Sequence, residues 1–395
     1  MSIYKLSNVI QTYDWGSLTS LNEMFNIENP QHSPQAEMWM GTHPRGCSKV
    51  ADKGIALSEL VVEDTPNMLG RYTAMRFGEL PYLLKVIAAD SPLSIQVHPS
   101  KTKAEQGFQR EEQLGIPIDA SNRNYKDDNH KPELVYALTF FLALNGFRPI
   151  SEIISLFKEL NLHSINTILQ SLLAQPNESG LKGFFKHIMT LSGQDKQQAL
   201  AELNSALTRP AKSRLAREAF HTIKKLSEHY QDDVGLFAPL LLNIIELAPG
   251  EAMFLHAETP HAYLSGTALE IMANSDNVLR AGLTSKHIDT VELLNNVTFT
   301  STPTSSLILA PVEKASRLSY PVPVDDFCFD IVSSTESAQT LYVRSAEVLF
   351  CLDGEVLIET PQSSISLIKG ESAFISNDSL CYKLSQTGTL ARAYN

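Results

Sequence analysis

Hydrophobic positions along the chain follow two different periods, and the change between them divides it into three stretches. From residue 1 to 148, short β-branched and aromatic runs are punctuated by Gly and Pro. PYLLKVI (81–87), PLSIQVHP (92–99) and ELVYALTFFLAL (133–144) are examples, and they predict strands and turns. From 149 to 234 the period lengthens. Ile153, Ile154, Leu156, Phe157 and Leu160 recur at helical spacing. The segment DKQQALAELNSALTRPAKSRLAREAFHTIKKLSEHY is built from strong helix formers, with Pro210 at an expected break. From 235 the β pattern returns. LLLNIIELAPGEAMFLHAETPHAYL (240–264) reads as strand, Pro-Gly turn, strand. EVLFCLDGEVLIET (347–360) reads as a hairpin closed by Asp353-Gly354, and LIKGESAFIS (367–376) repeats the strand–turn–strand form.

PGEAMFL (249–255) and KGESAFI (369–375) align without gaps at an offset of 120 residues, which sets His261 opposite Cys381. Two copies of a short-strand unit suggest two small jelly-roll barrels, although so short a match also fits two unrelated turns. The expected fold is mainly β with a helical insertion. Residues 1–148 and 235–315 would form a catalytic domain, 149–234 an α-helical insertion, and 316–395 a second, non-catalytic barrel.

Composition narrows the partners. The 395 residues suffice for two or three domains. Acids outnumber bases 44 to 32, for a net charge of −12. Such a surface repels nucleic acid and anionic lipid, so neither is expected as a partner. An anionic small molecule would need a local group of Lys and Arg. Cys47, Cys328, Cys351 and Cys381 form no CxxC pair, which argues against a thiolate metal site and for reduced thiols in the cytosol. No apolar run is long enough for a signal peptide or a spanning helix. A monomer is expected.

Three segments carry candidate chemistry. In SIQVH (94–98) the strand period places Ser94, Gln96 and His98 on one face and Ile95 and Val97 on the other. The apolar pair faces a core; the polar trio, if buried, needs hydrogen bonds or a metal. In NHKPE (129–133), His130, Lys131 and Glu133 precede an apolar strand, where a carboxylate needs a partner. In HAETPHAY (256–263), His261 and His256 are both candidate ligands. An amide, a carboxylate and two imidazoles make an N/O set that suits zinc, iron or manganese. A fourth stretch, ALEIMANSDNVLRAGLTSKH (268–287), holds Glu270, Asp276, Arg280 and Lys286 among apolar residues.

These blocks, with YDWG (13–16), AEMWMGTHP (36–44), NYKDDNHKPE (124–133) and PGEAMFLHAETPHAYL (249–264), resemble the signatures of the type I phosphomannose isomerases of the cupin superfamily. The resemblance implies two cupin-type jelly rolls and a helical insertion. It implies one zinc ion held at Gln96, His98, Glu133 and His261, a catalytic arginine at Arg280, and active-site positions near Lys131 and Asp276. It also implies isomerisation of mannose 6-phosphate to fructose 6-phosphate through a cis-enediolate. For that chemistry Lys131, Asp276, Glu270 and His130 are candidate acids or bases. Lys85, Lys101 and Lys103 are candidate phosphate ligands. Another metal-dependent cupin enzyme and a non-catalytic sugar-binding bicupin are the alternatives.

Overall fold

The computed structural model describes residues 2–395. Its strands form sheets of ten, eight and four. The ten-stranded sheet is organised by one long strand, His261–Ala273. Its second half pairs with Tyr82–Ala89 on one side and with Glu133–Ala137 on the other. Its first half pairs with Phe141–Phe147 and, at His261, with Gln96. The register shifts between Tyr263 and Ser265, and Gly266 follows at φ +113°. A Cβ at Gly266 would lie 2.4 Å from the Phe140 carbonyl oxygen, so only glycine allows the close approach there. The bend lets a single strand serve both walls of the β unit and brings the start of one wall over the other.

The helical block follows its predicted period as Ile150–Leu160, His163–Ala174, Glu178–Thr190, Gly193–Ala206 and Arg214–His229. Pro210 falls in the break before the last of these. Ile153, Leu156, Phe157 and Leu160 are buried, with Phe157 edge-on to Phe184. The same apolar cluster takes in Ile95, Val97, Leu279, Ala281 and Leu283. The helices therefore pack on the back of the strand whose other face carries Gln96.

Three expectations need correction. Residues 101–113, read as part of a strand-and-turn region, form the helix Lys101–Gln113; KTKAEQ and QREEQ are helix formers whose polarity hides the period. Strands Glu347–Cys351 and Glu355–Glu359 do not pair with each other. The turn at Asp353-Gly354 instead carries the chain from the eight-stranded sheet to the four-stranded one, because both strands bury apolar side chains such as Leu349 and Val356 in the cluster between those sheets. Finally, strand Ile3–Ser7 leaves the N-terminal stretch and pairs antiparallel with Ser372–Ile375. The first strand of the chain thus extends a sheet of the last region, and Lys49–Val50 pairs on its outer side. Strands Ala252–Leu255 and Ser372–Ile375, and the starts of His261–Ala273 and Cys381–Gln386, keep the same spacing in sequence.

Candidate active site

Cross-strand register, not sequence proximity, assembles the site. His261 lies opposite Gln96, and Gln96 lies opposite Arg280 on its other side. Glu133 lies opposite Met272 and Leu255. Segments far apart in the chain therefore converge at one end of the β unit.

His98, Glu133 and His261 are all buried, and they offer ligand atoms that lie within 4.8 Å of one another. Glu133 Oε1 is 3.4 Å from His98 Nε2, and Oε2 is 3.5 Å from His261 Nε2. Each imidazole is oriented through its far nitrogen: His98 Nδ1 is 2.6 Å from the Asn277 carbonyl oxygen and His261 Nδ1 is 3.0 Å from that of Thr259. With the proton on Nδ1, both Nε2 lone pairs point at the carboxylate, the arrangement that outer-shell partners impose on metal-binding histidines. His98 Nε2 is buried with no hydrogen-bond partner, a cost that a metal ion would remove. Burial, followed by the neighbouring His98, lowers the His261 pKa to about 4, so its ring is neutral and able to ligate. Burial alone would raise the Glu133 carboxyl, but Lys131 and His98 outweigh it and hold the group well below the ordinary range. The donor set fits a divalent ion, and the Gln96 amide stands beside it on the neighbouring strand.

The centre opens into a cavity of about 780 Å³ lined by Gln96, Lys131, Glu133, His261, Asp276 and Arg280, and also by Lys85 and Glu270. Most of its cations are already paired. Lys131 Nζ is 3.2 Å from Glu133. Lys85 is buried 2.9 Å from Glu270 and 3.8 Å from Glu37; desolvation opposes its charge, but Glu270 and Glu37 raise its pKa above the usual lysine range. Arg45 lies 3.3 Å from Asp276. Arg280 and Lys286 also line the cavity, and among the described residues no carboxylate pairs with either. Burial lowers the pKa of both, and Arg280 lowers that of Lys286 further, so the two repel each other across a site that an anion would satisfy.

The remaining candidates lie elsewhere. Lys101 and Lys103 sit on the helix and turn to Asp128 and to Glu258, at 3.9 and 3.0 Å; neither lines the cavity. His130 also stays outside it, with Nε2 3.0 Å from Asp326 of the C-terminal region. His256 packs against Phe254 instead of joining the ligand cluster. Sequence reasoning missed Tyr263, whose hydroxyl donates to Glu270 at 2.7 Å and lies 3.1 Å from Glu133. The strand period was a usable signal, since Tyr263 is two residues beyond His261. It also missed Asn277, fully buried, whose side chain binds the main chain at Lys126, Asp127 and Asn129 while its carbonyl orients His98.

Residues 3–150 match the family Phosphomannose isomerase type I, catalytic domain, and residues 156–242 match its helical insertion domain. Residues 316–395 match Mannose-6-phosphate isomerase, cupin domain. The chain is 48% identical over 394 residues to a mannose-6-phosphate isomerase of Salmonella typhimurium, covering 99% of each. It belongs to the type I phosphomannose isomerase family. The Homo sapiens member is 34% identical over 420 residues, spanning 97% of this chain and 96% of its own. Among solved family members, a holo, zinc-bound mannose 6-phosphate isomerase superposes with a TM-score of 0.94 at 48% identity, over 100% of both chains. The Salmonella typhimurium protein bound to its substrate fructose 6-phosphate and zinc gives 0.94 at 47%, again over 100% of both. The fold common to the family is mostly β, with a helical insertion domain and a cupin domain.

Proposed function

We propose that this phosphomannose isomerase interconverts mannose 6-phosphate and fructose 6-phosphate, using one zinc ion held by Gln96, His98, Glu133 and His261. The observation that carries the reading is the buried, unpartnered His98 Nε2 facing Glu133 and His261 at the end of a polar cavity. Bound there, zinc supplies Lewis-acid polarisation of the sugar carbonyl. The chain's own residues do the rest. A proton moves between C2 and C1 through a cis-enediolate, whose negative oxygen needs a fixed positive partner; Arg280, half-buried and unpaired, stabilises it. Lys131 and Asp276 line the cavity and are the proton carriers. Lys131 serves as acid at oxygen and Asp276 as carboxylate base, whereas Glu270 is occupied by Lys85 and Tyr263 and holds the site in place. Lys286, likewise unpaired, receives the phosphate; Lys85, expected in that role, is committed to Glu270 and Glu37.

In this reading the catalytic unit is a cupin jelly roll made chiefly of residues 1–148 and 235–315, the insertion spans 149–234, and residues 316–395 form a second, non-catalytic jelly roll that strand Ile3–Ser7 joins. The four cysteines are free, which supports a cytosolic protein, and one chain carries a complete site, which supports a monomer. Chelation tests the function: turnover of mannose 6-phosphate in a coupled assay should disappear with EDTA and return with zinc. Turnover that persists after the metal content has fallen to zero rejects the mechanism.

A further inference from the structure

The helical insertion reaches the cavity at His229 and Tyr230, which line it, and is tied to the cavity rim by a side chain a few residues further on. Asp233, just after the last long helix, accepts three main-chain N–H bonds: from Gly235 at 2.6 Å, Leu283 at 2.9 Å and Thr284 at 3.0 Å. The first belongs to its own turn. The other two belong to the rim of the cavity, which Leu283 and Thr284 line. The two backbones meet directly there. A Cβ on Gly235 would lie 2.6 Å from the Leu283 nitrogen, and one on Gly282 would lie 2.7 Å from Gly235 Cα, so both positions are closed to larger residues. Leu283 holds φ +51°, a left-handed conformation that a leucine keeps only when its surroundings enforce it. Thr284 passes the constraint on, because its Oγ1 accepts from the Lys286 N–H at 3.1 Å. Arg280 does not depend on this path, being held by pairing with Gln96 and by the Ala281 N–H to Ile95 at 2.8 Å.

We propose that Asp233 is a positioning residue that clasps the Gly282–Thr284 turn and thereby holds Lys286 where the substrate phosphate binds. This rests on the reading that Lys286 receives the phosphate. It gives the helical insertion a task in substrate recognition: the clasp fixes the rim without touching the reacting atoms. A carboxylate suits the position because its two oxygens together accept three donors, which a carboxamide, with a single acceptor oxygen, cannot match.

The test uses zinc-loaded full-length protein and the variants Asp233→Ala, Asp233→Asn, Lys286→Met and the double Asp233→Ala/Lys286→Met. Steady-state kinetics with mannose 6-phosphate, inhibition by inorganic phosphate, zinc content and thermal unfolding are measured on each. Asp233→Ala is expected to raise KM and the phosphate inhibition constant about 10-fold with kcat within about 3-fold, the signature of lost binding and not of lost chemistry. Asp233→Asn should fall between it and the parent, with zinc content unchanged, and carries the test if the alanine variant does not fold. The double variant should bind no more weakly than Lys286→Met alone, since residues acting through one another are non-additive. Additive losses, or a normal KM in both Asp233 variants while Lys286→Met is impaired, overturn the clasp and leave the phosphate reading standing. A normal KM and normal phosphate inhibition in Lys286→Met overturn that reading and the clasp with it.

Discussion

Two buried polar groups in this protein have similar ingredients and opposite arrangements. In the C-terminal region, Glu347, Asp330, Arg392 and Tyr382 are all buried. The Arg392 guanidinium grips both Glu347 oxygens and lies 3.3 Å from Asp330, and the Tyr382 hydroxyl donates to Glu347 at 2.7 Å. The charges pair with one another, and although Asp330 Oδ1 is buried without a partner, it belongs to no group of converging ligand atoms among the described residues. In the catalytic region, two imidazoles and Glu133 are equally buried, yet they aim ligand atoms at a shared point and open onto a cavity. A paired buried ion network is structural until shown otherwise, whereas a buried polar atom aimed at a common point without a partner signals a ligand. The difference lies in whether the ligand atoms converge on one point, not in how many charges are buried.

The comparison is broken most severely at the proposed metal ligands. His98→Ala should lower zinc content and reduce turnover beyond the roughly 100-fold that loss of an outer-shell partner costs. Metal analysis and the coupled assay check this, and normal zinc content would remove His98 from the ligand set. In the C-terminal network, Arg392→Met should cost about 3–5 kcal/mol of stability by stranding Glu347, with kcat near the parent value at temperatures where the variant stays folded. Denaturant titration beside the assay decides it, and a large kcat loss in the folded variant would end the division between structural and catalytic clusters.

Acid should separate the two regions more gently. His261 and His43 are held near pKa 4 by burial, below an ordinary value of 6.5. Unfolding lets each take a proton between those values, so the unfolded chain binds more protons there and the metal-free protein loses stability as pH falls from about 6.5 toward 4. Melting temperatures of the metal-free protein at pH 7 and pH 5 check the sign, and equal values would contradict the buried neutral state. The smallest effect is expected on the helix: Lys101→Ala and Lys103→Ala should each leave KM for mannose 6-phosphate within about 2-fold, as exposed substitutions usually do. A KM raised 10-fold would return those lysines to the phosphate site.

Much of the local pattern is legible in the amino-acid order alone. The helical block follows its apolar period, and Ile95 and Val97 turn into the core as the strand alternation requires. The failures share a cause. The Asp353-Gly354 turn looks the same whether it closes a hairpin or crosses between sheets, since turn chemistry constrains four residues and not the partners of the flanking strands. Lys101 and Lys103 follow strand Gln96–Val97 by a few residues, but a helix directs them away from the cavity. Tyr263 was within reach of the period-two rule; Asn277 and Asp233 were not, because their significance lies in main-chain groups far along the chain.

By itself, the sequence determined where the helical block and many of the strands form, which of their faces are apolar, and which side chains have the chemistry to ligate, carry protons or bind an anion. Those properties depend on neighbours within a few residues, and a linear pattern records them. Only the tertiary structure decided that His98, Glu133 and His261 meet with Gln96 beside them, that Arg280 and Lys286 remain unpaired while Lys85 does not, and that the first strand joins a sheet of the last region. Each of these is a long-range pairing. Its register comes from burying both faces of the sheets at once, a condition that no local stretch of sequence contains.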